Sequence, residues 1–163
     1  MDGFKTVSQI SLSRIKKVMD KSSSYDGLKL FKLDYTNIKL WESDFGNLEQ
    51  SLLSANESIK TDRTAEDVLY EILLKYGIEL TVPVEQATVN GKQVFVVGAG
   101  ALLVCLDDEI TTEVVEGIAK LKHKLDPETT QVVFKDAGFA DSVVKTNAIQ
   151  ILKQAGIDDV KSI

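Results

Sequence analysis

The sequence holds one cysteine, Cys105, and one histidine, His123. A single thiol excludes an internal disulfide framework. One imidazole beside it leaves no set of soft ligands for a structural zinc site. Prolines number two, and no apolar run reaches the ~20 residues that span a bilayer. The opening Met1-Asp2-Gly3-Phe4-Lys5 lacks the apolar stretch of a secretory signal, so the expected compartment is cytoplasmic. Excess basic charge is also missing. The 163 residues carry 25 acids against 19 bases, and a net charge of −6 excludes a highly basic nucleic-acid wrapper. That length suits one domain or slightly more. The 44% of hydrophobic residues is the share expected of a globular protein with a real core.

The charge is unevenly spread. Residues 1–41 have a balance of +4, and the remainder a balance of −10. Opposite signs in two parts of a chain suggest different neighbours. Arg14, Lys16, Lys17 and Lys21 are therefore candidate contacts for DNA or an acidic partner, against the simpler reading of a solvated helix face. Trp41 closes this basic part, as an interface anchor or as a partly buried side chain.

Local patterns predict the elements. Leu12, Ile15, Val18 and Met19 recur at helical spacing over residues 8–21, with Ser8 or Ser11 as the cap. Alternation from Leu28 to Tyr35 predicts a strand. Leu48, Leu52 and Leu53 suggest a helix around 46–56. The polar run Ser54–Arg63 reads as a linker. The chain thus divides into a small helix-strand segment, 1–60, and a C-terminal α/β domain, 61–163. Thr64, with Asp67 three residues on, predicts a capped helix that Gly77 ends. Asn90-Gly91 between two β-prone runs predicts a hairpin over about 84–97. Ala101–Leu106 has no polar position, as expected of a central strand. Helix, strand, helix and strand follow, with Pro127 and Gly156 as stops and Asp141 as a cap. The expected fold class is α/β: a mixed sheet with that hairpin and a parallel βαβαβ part over about 101–163.

Signals for chemistry are few. Phe95 to Gly100 resembles a glycine-rich nucleotide loop, but it lacks a third glycine and precedes a strand. Asp44-Phe45-Gly46 matches a kinase tripeptide without the loops that give it meaning. His123 sits among lysines near a helix end, where a solvated imidazole is expected. Cys105 falls in an apolar strand and reads as a core residue. Asp107 and Asp108 follow one parallel strand and Asp136 the next. Strand-end loops are where α/β sheets bind ligands, so these three acids mark a candidate cleft for a small ligand or a cation. Helix capping and solvation are the simpler reading.

Several blocks carry a family resemblance. They are Phe4–Ile10 with Ser13-Arg14-Ile15-Lys16-Lys17, and Gly27-Leu28-Lys29-Leu30-Phe31-Lys32-Leu33-Asp34-Tyr35-Thr36-Asn37-Ile38-Lys39-Leu40-Trp41. Further along come Glu66–Gly77, Val132–Phe139 and Lys145-Thr146-Asn147. Together these blocks resemble the C-terminal region of the modification (Mod) subunit of type III restriction–modification systems. The resemblance implies a parent protein that methylates adenine N6 in DNA from S-adenosylmethionine, flipping the base out of the duplex. It also implies, as partners, other Mod subunits in a homo-oligomer, a restriction subunit, and DNA through the parent protein; no membrane partner is expected. The family's Asp-Pro-Pro-Tyr and Phe-x-Gly-x-Gly motifs have no counterpart in these residues. The resemblance therefore implies no catalytic or cofactor-binding residue in this chain, and a role in subunit association with auxiliary DNA contact. A free-standing α/β module that binds a small ligand or cation is the alternative.

Overall fold

The computed structural model describes residues 6–22, 27–38 and 59–163. They fall into two compact units, one ending at Asp34 and the other beginning at Tyr35. Trp41 and the helix expected around 46–56 lie outside the described residues.

In the first unit, α1 spans Val7–Met19. Its cap is Thr6, not Ser8 or Ser11. Thr6 has extended backbone angles and its side chain accepts from the Gln9 N–H, while both serines lie inside the helix. None of the α1 residues is buried. Residues 27–34 form no strand. The alternation there breaks at Phe31, so Leu28 and Leu30 do not share a face with Leu33. Leu30 and Leu33 are 72% and 96% exposed, without the buried face that would hold a register.

The second unit is a five-stranded mixed sheet between helices. Helix α2, Ala65–Lys75, starts with the expected capping box: the Asp67 N–H donates to Thr64 Oγ1 at 3.1 Å, and the Thr64 N–H donates to Asp67 Oδ2 at 2.9 Å. At the other end Gly77 takes φ +68°, and the Ile78 N–H reaches back to the Leu73 carbonyl at 2.8 Å. That geometry satisfies carbonyls that would otherwise be left open.

Strands β1, Val84–Val89, and β2, Lys92–Val97, form the hairpin. Asn90 and Gly91 turn it with φ +48° and +81°, two successive positive values that match the sheet's twist. A 3-10 turn, Gly98–Gly100, leads into β3, Leu102–Cys105, which is buried on both faces. Then come α3, Thr112–Leu125, β4, Gln131–Phe134, α4, Ser142–Gln154, and β5, Asp159–Ser162. The spatial order is β1-β2-β3-β4-β5; β2 pairs antiparallel with its neighbours, whereas β3, β4 and β5 run parallel. The α/β class, the hairpin and the βαβαβ part follow the sequence expectation.

Alternation along the strands builds two cores. Val94, Val96, Leu103, Cys105, Val132 and Phe134 pack with residues of α3 and α4. Phe95, Val97, Leu102, Val104 and Val133 pack with Val68, Leu69, Ile72 and Leu73 of α2. The sheet is thus covered on both faces, which is why β3 has no polar position. Both crossovers step to the next strand in the same direction, and the shared handedness of such connections puts α3 and α4 on one side. Each fully buried Leu or Val contributes roughly 1.5–3 kcal/mol of transfer free energy. Among the described residues no helix is long and apolar enough to cross a membrane.

Segment Thr36–Ile38 is fastened to α2. Glu71 accepts from the Thr36 hydroxyl and, at 2.6 Å, from the Asn37 N–H. Asn37 Nδ2 donates to the Asp67 carbonyl at 3.0 Å, and the Lys60 N–H donates to the Asn37 carbonyl at 2.9 Å. The boundary expected near residue 60 therefore falls inside the second unit, beside these bonds.

Candidate functional site

The parallel strands β3, β4 and β5 deliver their carboxyl ends to one edge of the second unit. The loop after β3 carries Asp107, Asp108 and Glu109; the loop after β4 carries Lys135 and Asp136. Backbone bonds lock the first loop to the second, and the second to the residue after β5. The Ile110 N–H donates to the Gly138 carbonyl at 2.8 Å, and the Asp136 N–H donates to the Ile163 carbonyl at 2.8 Å. A Cβ on Gly138 would sit 2.4 Å from the Asp107 carbonyl oxygen, so the approach needs a residue without one.

A cleft of about 800 Å³ opens at this edge. Lys60, Arg63, Asp108, Lys135, Asp136 and Lys145 are among its walls. The structure thus brings Asp108 and Asp136 together in one cleft. Asp107 is not among the lining residues: it pairs with Lys92 Nζ at 2.9 Å, and the same ammonium reaches Glu109 at 3.2 Å. Burial raises the pKa of Asp107, but the Lys92 ammonium and the Glu109 N–H outweigh it and hold the carboxyl below its ordinary value.

The cleft acids are paired as well. Asp108 binds Lys135, and Asp136 binds Lys145. Hydrogen bonds from Lys145 and then Ser162 hold Asp136 below the ordinary carboxylate value. Asp141 caps α4, accepting from the Val144 N–H at 2.8 Å. Each of the three candidate acids thus faces a lysine. Among the described residues, no three His, Cys, Asp or Glu side chains gather so as to hold a metal ion. The topology points the same way. Ligand crevices in open α/β sheets form where the strand order reverses, and β3, β4 and β5 progress without reversal.

The basic candidates lie elsewhere. Arg14, Lys16 and Lys17 project from α1, and Lys21 follows its C-cap, Asp20; all four are exposed. His123 is exposed in the last turn of α3, and Cys105 is fully buried, with burial pushing its thiol pKa up. Both match their sequence reading. Phe95 to Gly100 passes from β2 through a 3-10 turn into β3, so no helix N-terminus follows the glycines to receive a phosphate.

Sequence reasoning missed Glu71. Its pairing with Lys75 at 2.9 Å, one turn along α2, has the legible spacing of a helical ion pair. Its grip on Thr36 and Asn37 joins residues 34 or 35 apart and has no local signal. Burial alone would raise the Glu71 pKa; Lys75, Thr36 and Asn37 overcome it and bring the value to about 2. Lys92, Lys135 and Lys145 were likewise missed as partners of the acids. No family model matches the chain, and no curated protein sequence matches it.

Proposed function

We propose that this chain is a non-catalytic association domain, corresponding to the C-terminal part of a type III Mod subunit, a site-specific DNA adenine-N6 methyltransferase. One structural observation supports association above all. Of the eleven large apolar side chains exposed among the described residues, eight lie between Val7 and Leu33. Such a concentration supports a role in which these residues meet another protein. The family resemblance of the sequence blocks supplies the kind of assembly: other Mod subunits and the restriction subunit. Auxiliary DNA contact is the second part of the reading. It is favoured by Arg14, Lys16, Lys17 and Lys21, which carry no ion pair among the described residues. The cation-binding alternative loses its motive where lysines already neutralise Asp107, Asp108 and Asp136.

Light scattering of the chain alone and mixed with the restriction subunit tests the association. The expected result is a stable complex; a mixture that elutes as separate species would refute it. Methyl transfer from labelled S-adenosylmethionine to DNA should stay at background, and robust turnover would overturn the non-catalytic reading. DNA contact predicts binding that weakens steeply as salt rises.

A further inference from the structure

The exposed face of α1 has a definite chemistry. At ~100° per residue, Val7, Ser11, Ile15 and Val18 fall within one ~80° sector of the helix. Val7, Ile15 and Val18 are 79%, 43% and 67% exposed. Ser11, Arg14, Ile15, Val18 and Met19 line a shallow groove of about 380 Å³ along this face. Arg14 and Lys17, one turn apart, border the sector on one side. Residues 6–22 hold four cations and one carboxylate, Asp20. Lysines in the last turn complement the helix dipole, which accounts for Lys16 and Lys17 but not for the apolar stripe beside Arg14.

We infer that this face of α1 docks an acidic amphipathic helix of a partner protein. The apolar stripe supplies a seam for the partner's apolar residues, as in helix-in-groove recognition. Arg14 and Lys17 supply charges that acidic flanks would complement. The α1 of a second copy is a poor occupant, since it would set cation against cation with no carboxylate on either helix. Duplex DNA makes no use of Val7, Ile15 and Val18, because its affinity comes from phosphates. On this face Arg14 and Lys17 therefore serve the protein partner. The DNA contact proposed above falls to Lys16, on the opposite side of α1, and to Lys21. The inference rests on the association role proposed above and specifies one surface for it.

The probe is a fluorescein-labelled model helix with leucines along one face and glutamates on its flanks. A control peptide carries lysines in place of the glutamates. Fluorescence anisotropy with the full chain should show binding of the acidic peptide and about tenfold weaker binding of the basic one. Val18→Asp should weaken the acidic peptide by about tenfold or more. It leaves the core untouched, since nothing on α1 is buried. The double variant Arg14→Glu, Lys17→Glu should reverse the preference toward the basic peptide. Equal binding of both peptides, or binding indifferent to Val18→Asp, would overturn the inference. So would a chain that light scattering shows to be dimeric and that Val18→Asp makes monomeric. If the restriction subunit binds Val18→Asp as well as the original chain, this face fails while the association role stands. Peptide binding without restriction-subunit binding would have the opposite meaning.

Discussion

Glu71→Gln offers a sharp test of how the second unit is held together. The carboxylate is 13% exposed and has three partners: the Thr36 hydroxyl, the Asn37 N–H and the Lys75 ammonium. Its pKa falls from 4.5 to about 2. At ~1.4 kcal/mol per unit, that difference corresponds to about 3 kcal/mol of linked stability. The sign follows from the folded value being the lower one. The contribution is fully present above about pH 4.5, and it is lost as the pH falls toward 2. Denaturant unfolding at neutral pH should therefore show Glu71→Gln destabilised by roughly 2–3 kcal/mol, since an amide keeps part of the hydrogen bonding but none of the charge. Repeated between pH 5 and 2, the original chain should lose stability more steeply than the variant. The two curves should converge at the acid end. Thr36→Val in both backgrounds closes a double-mutant cycle, and a coupling of about 1 kcal/mol is expected between the two sites. A neutral-pH difference below ~0.5 kcal/mol, with parallel pH curves, would show that Glu71 does not hold Thr36–Ile38 on α2.

Two further substitutions probe the fold. At Gly117 on α3, a Cβ would lie 2.3 Å from Val89 Cγ1 at the end of β1. Gly117→Ala should cost about 1–3 kcal/mol in thermal or denaturant unfolding, despite alanine's better helix propensity. Gly117→Ala combined with Val89→Ala should recover part of that loss, and failure to recover would place the strain elsewhere. Thr64→Ala removes the α2 capping box and should lower stability by about 1 kcal/mol, read in the same assay.

Much of the fold is legible because its signals are local. Thr64 with Asp67, Asn90-Gly91, Asp141 and the glycines after α2 and α4 act on backbone groups within a few residues of themselves. A hydrogen bond over three residues needs no knowledge of the rest of the chain. The failures have the same origin. Leu28–Leu33 offers apolar residues in rough alternation, but a strand requires a ladder and a buried face, and alternation specifies neither. Thr6 displaced the expected serines because cap choice depends on where the chain turns into the helix, which the serine pattern leaves open. For the candidate cleft, Asp108 and Asp136 line one cavity at the strand ends, while Asp107 turns to Lys92. The lysines that neutralise the two cleft acids could not be anticipated, since Lys135 and Lys145 meet those acids only once β4 and α4 are in place.

By itself, then, the sequence determined the class of the second unit, its strand and helix sites, and the hairpin. It also determined the contrast between a basic opening and an acidic remainder. These follow from periodicity, caps and composition, which are properties of neighbours along the chain. Tertiary structure decided the rest. It put α2 on one face of the sheet and α3 with α4 on the other, and it turned Asp107 toward Lys92. It joined Glu71 to Thr36 and Asn37, and it left α1 without a buried residue. Each of these depends on groups far apart in the chain, whose free energy of contact is gained only when the sheet has assembled.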